Sequence, residues 1–220
     1  MVEAAAEVVV AAPALQPFCA AHGRDATVIP TPVDTDRIRP AAHPPEAFTV
    51  GWIGSSWTTP YLALLAEPLR DLAATLPLRV LLVGADVAQV RLPGVEVECV
   101  PWSHETEAAH LARMTVGVMP LPDEPFTRGK GAFKLYQYMA AGLPVVASPI
   151  VLNVQVVTPD VGFLAESAIA WQDALRVLIG DAPLRRRMGA AGRARAEQAY
   201  SRTVCGQQLQ NVLGRALHKT

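Results

Sequence analysis

The residues best suited to chemistry lie between Arg128 and Lys134, in the run Arg128-Gly-Lys-Gly-Ala-Phe-Lys134. Three cations are spaced by two glycines. Gly129 and Gly131 let the backbone approach a ligand and aim its N–H groups at it. The apolar spacing that follows, Leu135-Tyr-Gln137-Tyr-Met-Ala-Ala, predicts an amphipathic helix stopped at Gly142, a residue suited to a left-handed helix end. Pro144 keeps that helix from resuming, and Val145-Val146-Ala147 reads as a short buried strand. A helix N-terminus adds partial positive charge where Arg128, Lys130 and Lys134 supply full charges. A phosphate or diphosphate matches that arrangement. The plainer reading is a solvated basic loop ahead of an ordinary core helix.

The surrounding chain must position this loop. Phe48-Thr-Val-Gly-Trp-Ile, Leu78-Arg-Val-Leu-Leu-Val, Val95–Val100 and Val116–Met119 read as strands. The second is an almost unbroken apolar run, as in a parallel strand covered on both faces. Helices are expected between them, one capped by Thr59 with Pro60 at its first position and running to about Thr75, another over Glu105–Met114. Further helices are expected over Ala168–Ile179, Leu184–Tyr200 and Thr203–Leu217. The alternation predicts an α/β, Rossmann-like doubly wound parallel sheet. Ligands of such sheets bind beyond the carboxyl ends of the strands. Three loops meet there: Gly54-Ser55-Ser56, Pro101-Trp102, and Leu121 to Lys134. Their convergence strengthens the phosphate reading, and Trp102 is a candidate contact for a base.

Composition narrows the function classes. Half of the 220 residues are apolar (51%), enough for a large core, and the formal net charge of −1 gives no global pull toward nucleic acid or membrane. Cys19, Cys99 and Cys205 are far apart without a CxxC pair, so a reduced, cytoplasmic setting is expected. Glu3 and Glu7 interrupt the first apolar run, which rules it out as a signal peptide or span. His104 and His110 are six apart, wrong for one helix face, so no metal site is expected. Asp123 and Glu124 could serve as an acid/base pair but read as a solvated loop, and the arginines from Arg185 to Arg195 read as a solvated helix face, with Glu197 four residues after Arg193. Residues 34–45, with three prolines, read as a linker.

Several motifs together resemble retaining glycosyltransferases of the group 1 type, also called family 4. They are Val28-Ile-Pro-Thr-Pro-Val-Asp34, Met119-Pro-Leu-Pro-Asp, Arg128-Gly-Lys-Gly, Lys134-Leu-Tyr-Gln137-Tyr-Met-Ala-Ala-Gly142-Leu-Pro-Val-Val-Ala-Ser-Pro149, Gly162-Phe-Leu-Ala165 and Leu184-Arg-Arg-Arg-Met-Gly-Ala-Ala-Gly-Arg193. The resemblance implies the C-terminal, donor-binding half of the two-domain GT-B architecture. It divides the chain into a remnant of the acceptor domain (1–33), a hinge (34–45), a nucleotide-sugar-binding Rossmann-like domain (46–202) and a C-terminal helix (203–220). It implies transfer of a sugar from a nucleotide-diphosphate donor to an unknown acceptor, with no further cofactor, by a chain incomplete for catalysis alone. Gln137 takes the place of the family's second signature glutamate and would meet ribose hydroxyls. Gly129 takes the place of the first, and Ser55 and Ser56 occupy a loop where the family carries a basic pair. The implied donor set is Gly54, Ser55, Ser56, Arg128, Lys130, Gly131, Lys134 and Gln137. Two alternatives stand beside it: a non-catalytic nucleotide or nucleotide-sugar binding module, and a nucleotide-sugar epimerase of the same architecture. The apolar stripe Val204, Leu209, Val212, Leu213 and Leu217, facing a mostly missing domain, is expected either to pack on the N-terminal strand or to mediate a homodimer.

Overall fold

The structure, a computed structural model, describes residues 2–43, 45 and 47–217. Residues 44 and 46, at the expected boundary between hinge and domain, and 218–220, at the end of the expected C-terminal helix, lie outside the described residues.

The chain opens with a small parallel pair, β1 (Val8–Val10) and β2 (Ala26–Val28), joined through α1 (Gln16–Ala21). The main body follows as β3 (Phe48–Ile53), α2 (Ala66–Ala73), β4 (Leu78–Val83), β5 (Glu96–Val100), α3 (Glu107–Leu111), β6 (Val116–Met119), α4 (Pro125–Arg128), α5 (Phe133–Ala140), β7 (Val145–Ala147), α6 (Val151–Val156) and β8 (Gly162–Leu164). The last helices are α7 (Ala168–Gly180), α8 (Ala182–Arg195) and α9 (Arg202–Leu217).

Strands β3 to β8 form one six-stranded parallel sheet in the order β5-β4-β3-β6-β7-β8. This is the doubly wound order, which reverses direction between β3 and β6. Alternation along β4 shows why its sequence is apolar but for Arg79. Leu81 and Val83 enter the core on one face, with Met114, Leu135 and Tyr138. Val80 and Leu82 enter the core on the other, with Trp52, Leu69 and Leu175.

At the reversal the two central strands pair only through Val50 with Val116 and Gly51 with Gly117. Beyond that they part, and α5 supplies the missing hydrogen bonds. The buried Tyr138 hydroxyl accepts from the Ile53 N–H at 3.0 Å and donates to the Val118 carbonyl at 3.1 Å. Gly117 makes room for this ring, since a Cβ there would lie 2.2 Å from it. The helix carrying Lys134 and Gln137 is thereby tied to the sheet where the strands part. Its far end stops at Gly142, whose φ of 70° is the expected left-handed turn.

The expected cap at Thr59 does not form. Residues 56–65 wind as 3-10 turns with Pro60 inside, and α2 begins at Ala66. Thr59 is fully buried, and its hydroxyl accepts the Asp86 N–H at 3.0 Å. Packing of the 3-10 stretch against the next loop outweighs the local capping preference. Of the arginines of α8, Arg186 and Arg187 are exposed as expected, but Arg193 is less solvated. Arg193 keeps its pair with Glu197 at 2.7 Å but also donates to the carbonyls of Ile38 and Ala140 at 2.6 Å and Thr35 at 2.8 Å. It thus closes the C-terminus of α5 and straps residues 35–38 to the domain. That segment is no loose tether, because Ile38 is buried in the core.

The segment after β1 and helix α9 pack on each other. Ile29, Cys205 and Val212 form a small cluster, Arg215 donates to Thr27 Oγ1 at 3.1 Å, and the Val33 N–H donates to the Tyr200 carbonyl at 2.8 Å. Leu209, Leu213 and Leu217 remain exposed.

Candidate functional site

A cleft of about 470 Å³ opens where β3 and β6 part. Ile53, Gly54 and Ser55 line it from the end of β3, Met119 from the end of β6 and Trp102 from beyond β5. Lys130, Gly131, Phe133, Lys134 and Gln137 line it from the α4–α5 turn and α5, and Glu107 from α3. Ala11 and Thr31, beyond the ends of β1 and β2, line it from the N-terminal unit. The carboxyl ends of both sheets therefore face one crevice, the place where doubly wound folds hold ligands.

Of the residues singled out in the sequence, Gly54, Ser55, Lys130, Gly131, Lys134, Gln137 and Trp102 come together here. Arg128 and Ser56 are not among the lining residues. Arg128 closes a two-pronged pair with Asp123, at 2.6 and 3.0 Å, and its guanidinium holds the Asp123 carboxyl below its ordinary value. The one-turn helix α4, unforeseen in what read as a loop, sets this pairing by placing Arg128 back over Asp123. Glu124 accepts from the Tyr61 hydroxyl at 2.7 Å and lines a separate groove with Trp57, Tyr61, Pro125 and Phe126. Adjacent in sequence, the two carboxylates point to different partners.

The lysines are in a different state. Among the described residues neither Lys130 nor Lys134 has a carboxylate within ion-pair distance. Lys134 lies over the Trp52 ring, its Nζ 5.0 Å from the ring centre and 3.4 Å from Thr58 Oγ1. Burial, and then the charge of Lys130, push its ammonium down to about 8. Lys130 sits 4.5 Å from the Phe126 ring centre, and burial pushes its ammonium down too. Aromatic faces hold both cations without neutralising them.

Gly54 is needed for this seat. A Cβ there would lie 2.3 Å from the Trp52 ring and 3.0 Å from Lys134 Cε. Its N–H is not free for a ligand, because it donates to the Val83 carbonyl at 3.0 Å. Gly131, by contrast, has only ordinary contacts around its missing side chain, the nearest to Ala11 at 3.9 Å, so its neighbours do not demand a glycine.

The same cleft holds a residue that sequence reasoning did not single out. Glu107 is buried, and its Oε1 accepts from Gln137 Nε2 at 2.6 Å and from Trp102 Nε1 at 3.0 Å. Its Oε2 pairs with Arg37. No motif marks Glu107, whose partners lie five, thirty and seventy residues away along the chain. Among the described residues, no group of three or more His, Cys, Asp or Glu side chains is arranged to hold a metal. No helix among them is long and apolar enough to cross a membrane.

Comparison with known proteins agrees with this geometry. The family described as glycosyl transferases group 1 matches residues 47–181, and the chain belongs to that family. A search of curated proteins finds no match. Among solved structures, sucrose-phosphate synthase from Thermosynechococcus elongatus superposes with a TM-score of 0.78 at 20% identity, covering 97% of this chain and 59% of that one. HepE of Anabaena, solved with UDP-glucose, gives 0.75 at 18% identity over 95% of this chain and 64% of its own. The C-terminal domain of a group 1 family glycosyl transferase from Francisella tularensis gives 0.62 at 18% identity, over 77% of this chain and 99% of its own. The fold is the Rossmann-like C-terminal half of GT-B enzymes, and the chain spans less than two thirds of the two longer relatives.

Proposed function

We propose that this chain is the donor-binding half of a retaining glycosyltransferase, moving a sugar from a nucleotide-diphosphate donor to an acceptor held elsewhere. One observation carries the reading: two lysines without carboxylate partners among the described residues converge at the switch-point cleft, beside the N-terminus of α5. A diphosphate is the ligand whose charge answers theirs. Lys134 and Lys130 bind it, and the unpaired N–H groups at the start of α5, with that of Gly131, hydrogen-bond its oxygens. As the bond to the sugar breaks, negative charge grows on the leaving diphosphate, and the same groups stabilise it. The nucleoside lies toward Gln137 and Trp102, with the amide at the ribose and the indole at the base. The neighbour solved with UDP-glucose supports this class of donor. The reading needs no further cofactor, fits a cytoplasmic setting and leaves the acceptor side to another domain.

Gly129 favours a second reading, a nucleotide-binding module without transfer. It stands where the related motif carries a glutamate for the donor sugar, and it brings no side chain there. Calorimetry with UDP, GDP and ADP against their nucleosides tests what both readings share. A nucleoside diphosphate is expected to bind tighter than its nucleoside, and increasingly so at low salt. Equal affinity would remove the diphosphate from the site. Binding of the nucleotide-sugar no tighter than the diphosphate, without turnover by any longer protein containing this chain, would favour the module.

A further inference from the structure

Gln137 poses a problem that a carboxylate in its place would not. A carboxylate accepts hydrogen bonds through both oxygens, whereas an amide presents an acceptor at one end and donors at the other. Which end faces a ligand must be decided by what holds the opposite end. Here Gln137 Nε2 meets Glu107 Oε1 at 2.6 Å, and an ionised carboxylate can only accept. The amide must therefore turn its NH2 toward Glu107, which leaves Oε1 as the end available to the cleft that Gln137 lines. Among the described residues no donor occupies Oε1. The same Glu107 oxygen receives the Trp102 indole N–H at 3.0 Å, and Arg37 balances the buried charge through Oε2. Arg37 is itself fixed, donating to the His104 carbonyl at 2.7 Å.

We infer that Glu107 is a positioning residue that makes Gln137 an acceptor for the ribose hydroxyls of the bound nucleotide and seats Trp102 beside it. The inference rests on reading the cleft as a nucleoside diphosphate site. Among the described residues Glu107 makes no contact with Lys130 or Lys134, so its effect belongs to the nucleoside, to the ribose through Gln137 and to the base through Trp102. It also explains how an amide works at this position: the neighbouring carboxylate removes the amide's freedom to face the sugar with its donor end.

The test compares UDP, GDP and ADP with their 2′,3′-dideoxy counterparts by calorimetry on the whole chain. The native protein is expected to prefer the ribonucleotide by about fivefold to tenfold, the worth of a net hydrogen bond. Glu107→Gln frees the amide to turn and should abolish that preference, while the preference for diphosphate over nucleoside persists. Gln137→Glu alone sets two carboxylates against each other and should weaken binding. Exchanging the pair, Glu107→Gln with Gln137→Glu, restores a donor facing a carboxylate and should recover the ribose preference. A merely structural role for Glu107 predicts no such recovery. Should Glu107→Gln fail to fold, as thermal melting would show, the exchanged pair carries the test. A ribose preference that survives Glu107→Gln, or fails to return in the exchanged pair, overturns the inference. A native protein that binds diphosphates without ribose preference overturns it together with the ribose assignment. A native protein that binds no nucleoside diphosphate removes the reading beneath both.

Discussion

The two lysines of the cleft and the network around Glu107 hold charge in opposite ways. Around Glu107 the charge is matched: its carboxylate accepts from Gln137, Trp102 and Arg37. Lys130 and Lys134, by contrast, lie against Phe126 and Trp52, with burial lowering the pKa of both. Burying an unpaired cation costs free energy, and that cost falls when an anion arrives. The matched network orients groups whether or not a ligand is present. The unmatched pair is the part a ligand completes. Affinity should therefore concentrate at the lysines and selectivity at the network.

The largest effect is expected from Lys134→Ala. Losing a charge-assisted contact of about 1.5–3 kcal/mol should weaken nucleoside diphosphate binding about ten- to a hundredfold, measured by calorimetry. Little loss would mean that Lys134 does not face the phosphates. Gly54→Ala strikes the packing beside Lys134. Its Cβ would meet the buried Trp52 ring at 2.3 Å, and overpacking of this kind costs about 1–3 kcal/mol. Chemical denaturation should show that loss, with lower affinity because the seat of Lys134 shifts. Trp102→Ala should cost less affinity, about two- to tenfold, since the ring is half exposed. A larger loss than for Lys134→Ala would make the base the anchor and reverse the comparison. The smallest effect belongs to Arg128→Ala, within about twofold. Its guanidinium already has Asp123, and an exposed pair of this kind is worth about 0–1 kcal/mol.

Arg128 shows where sequence reading reached and where it stopped. Strand alternation placed the sheet, and the order of loops placed the cleft, because hydrophobic period and helix-stop chemistry are local. Gly142 adopts the left-handed turn its position required. Lys130 and Lys134 reached the cleft because they flank the α5 N-terminus, a placement that the helix start alone decides. Arg128 bears the same charge two residues earlier, but a one-turn helix hands it to Asp123. Glu107 was invisible for the opposite reason. Its importance comes from Gln137 and Arg37, brought to it by tertiary folding. Thr59 and Arg193 share that lesson: each has a local role by sequence, and each is drawn by packing into bonds with distant backbone.

Proton uptake on binding tests the central claim most directly. With its pKa near 8, Lys134 is about half protonated at pH 8 in the free protein. A bound diphosphate favours the charged form and raises that pKa, so binding takes up protons, and affinity declines as pH rises through about 8. Calorimetry of a nucleoside diphosphate at pH 8, in buffers of different ionisation enthalpy, should show uptake of roughly half a proton. That uptake should vanish at pH 6 on the Lys134 side and be lost at pH 8 in Lys134→Ala. No uptake at pH 8, or the same uptake in the variant, would contradict the claim that an unpaired, buried Lys134 awaits the diphosphate.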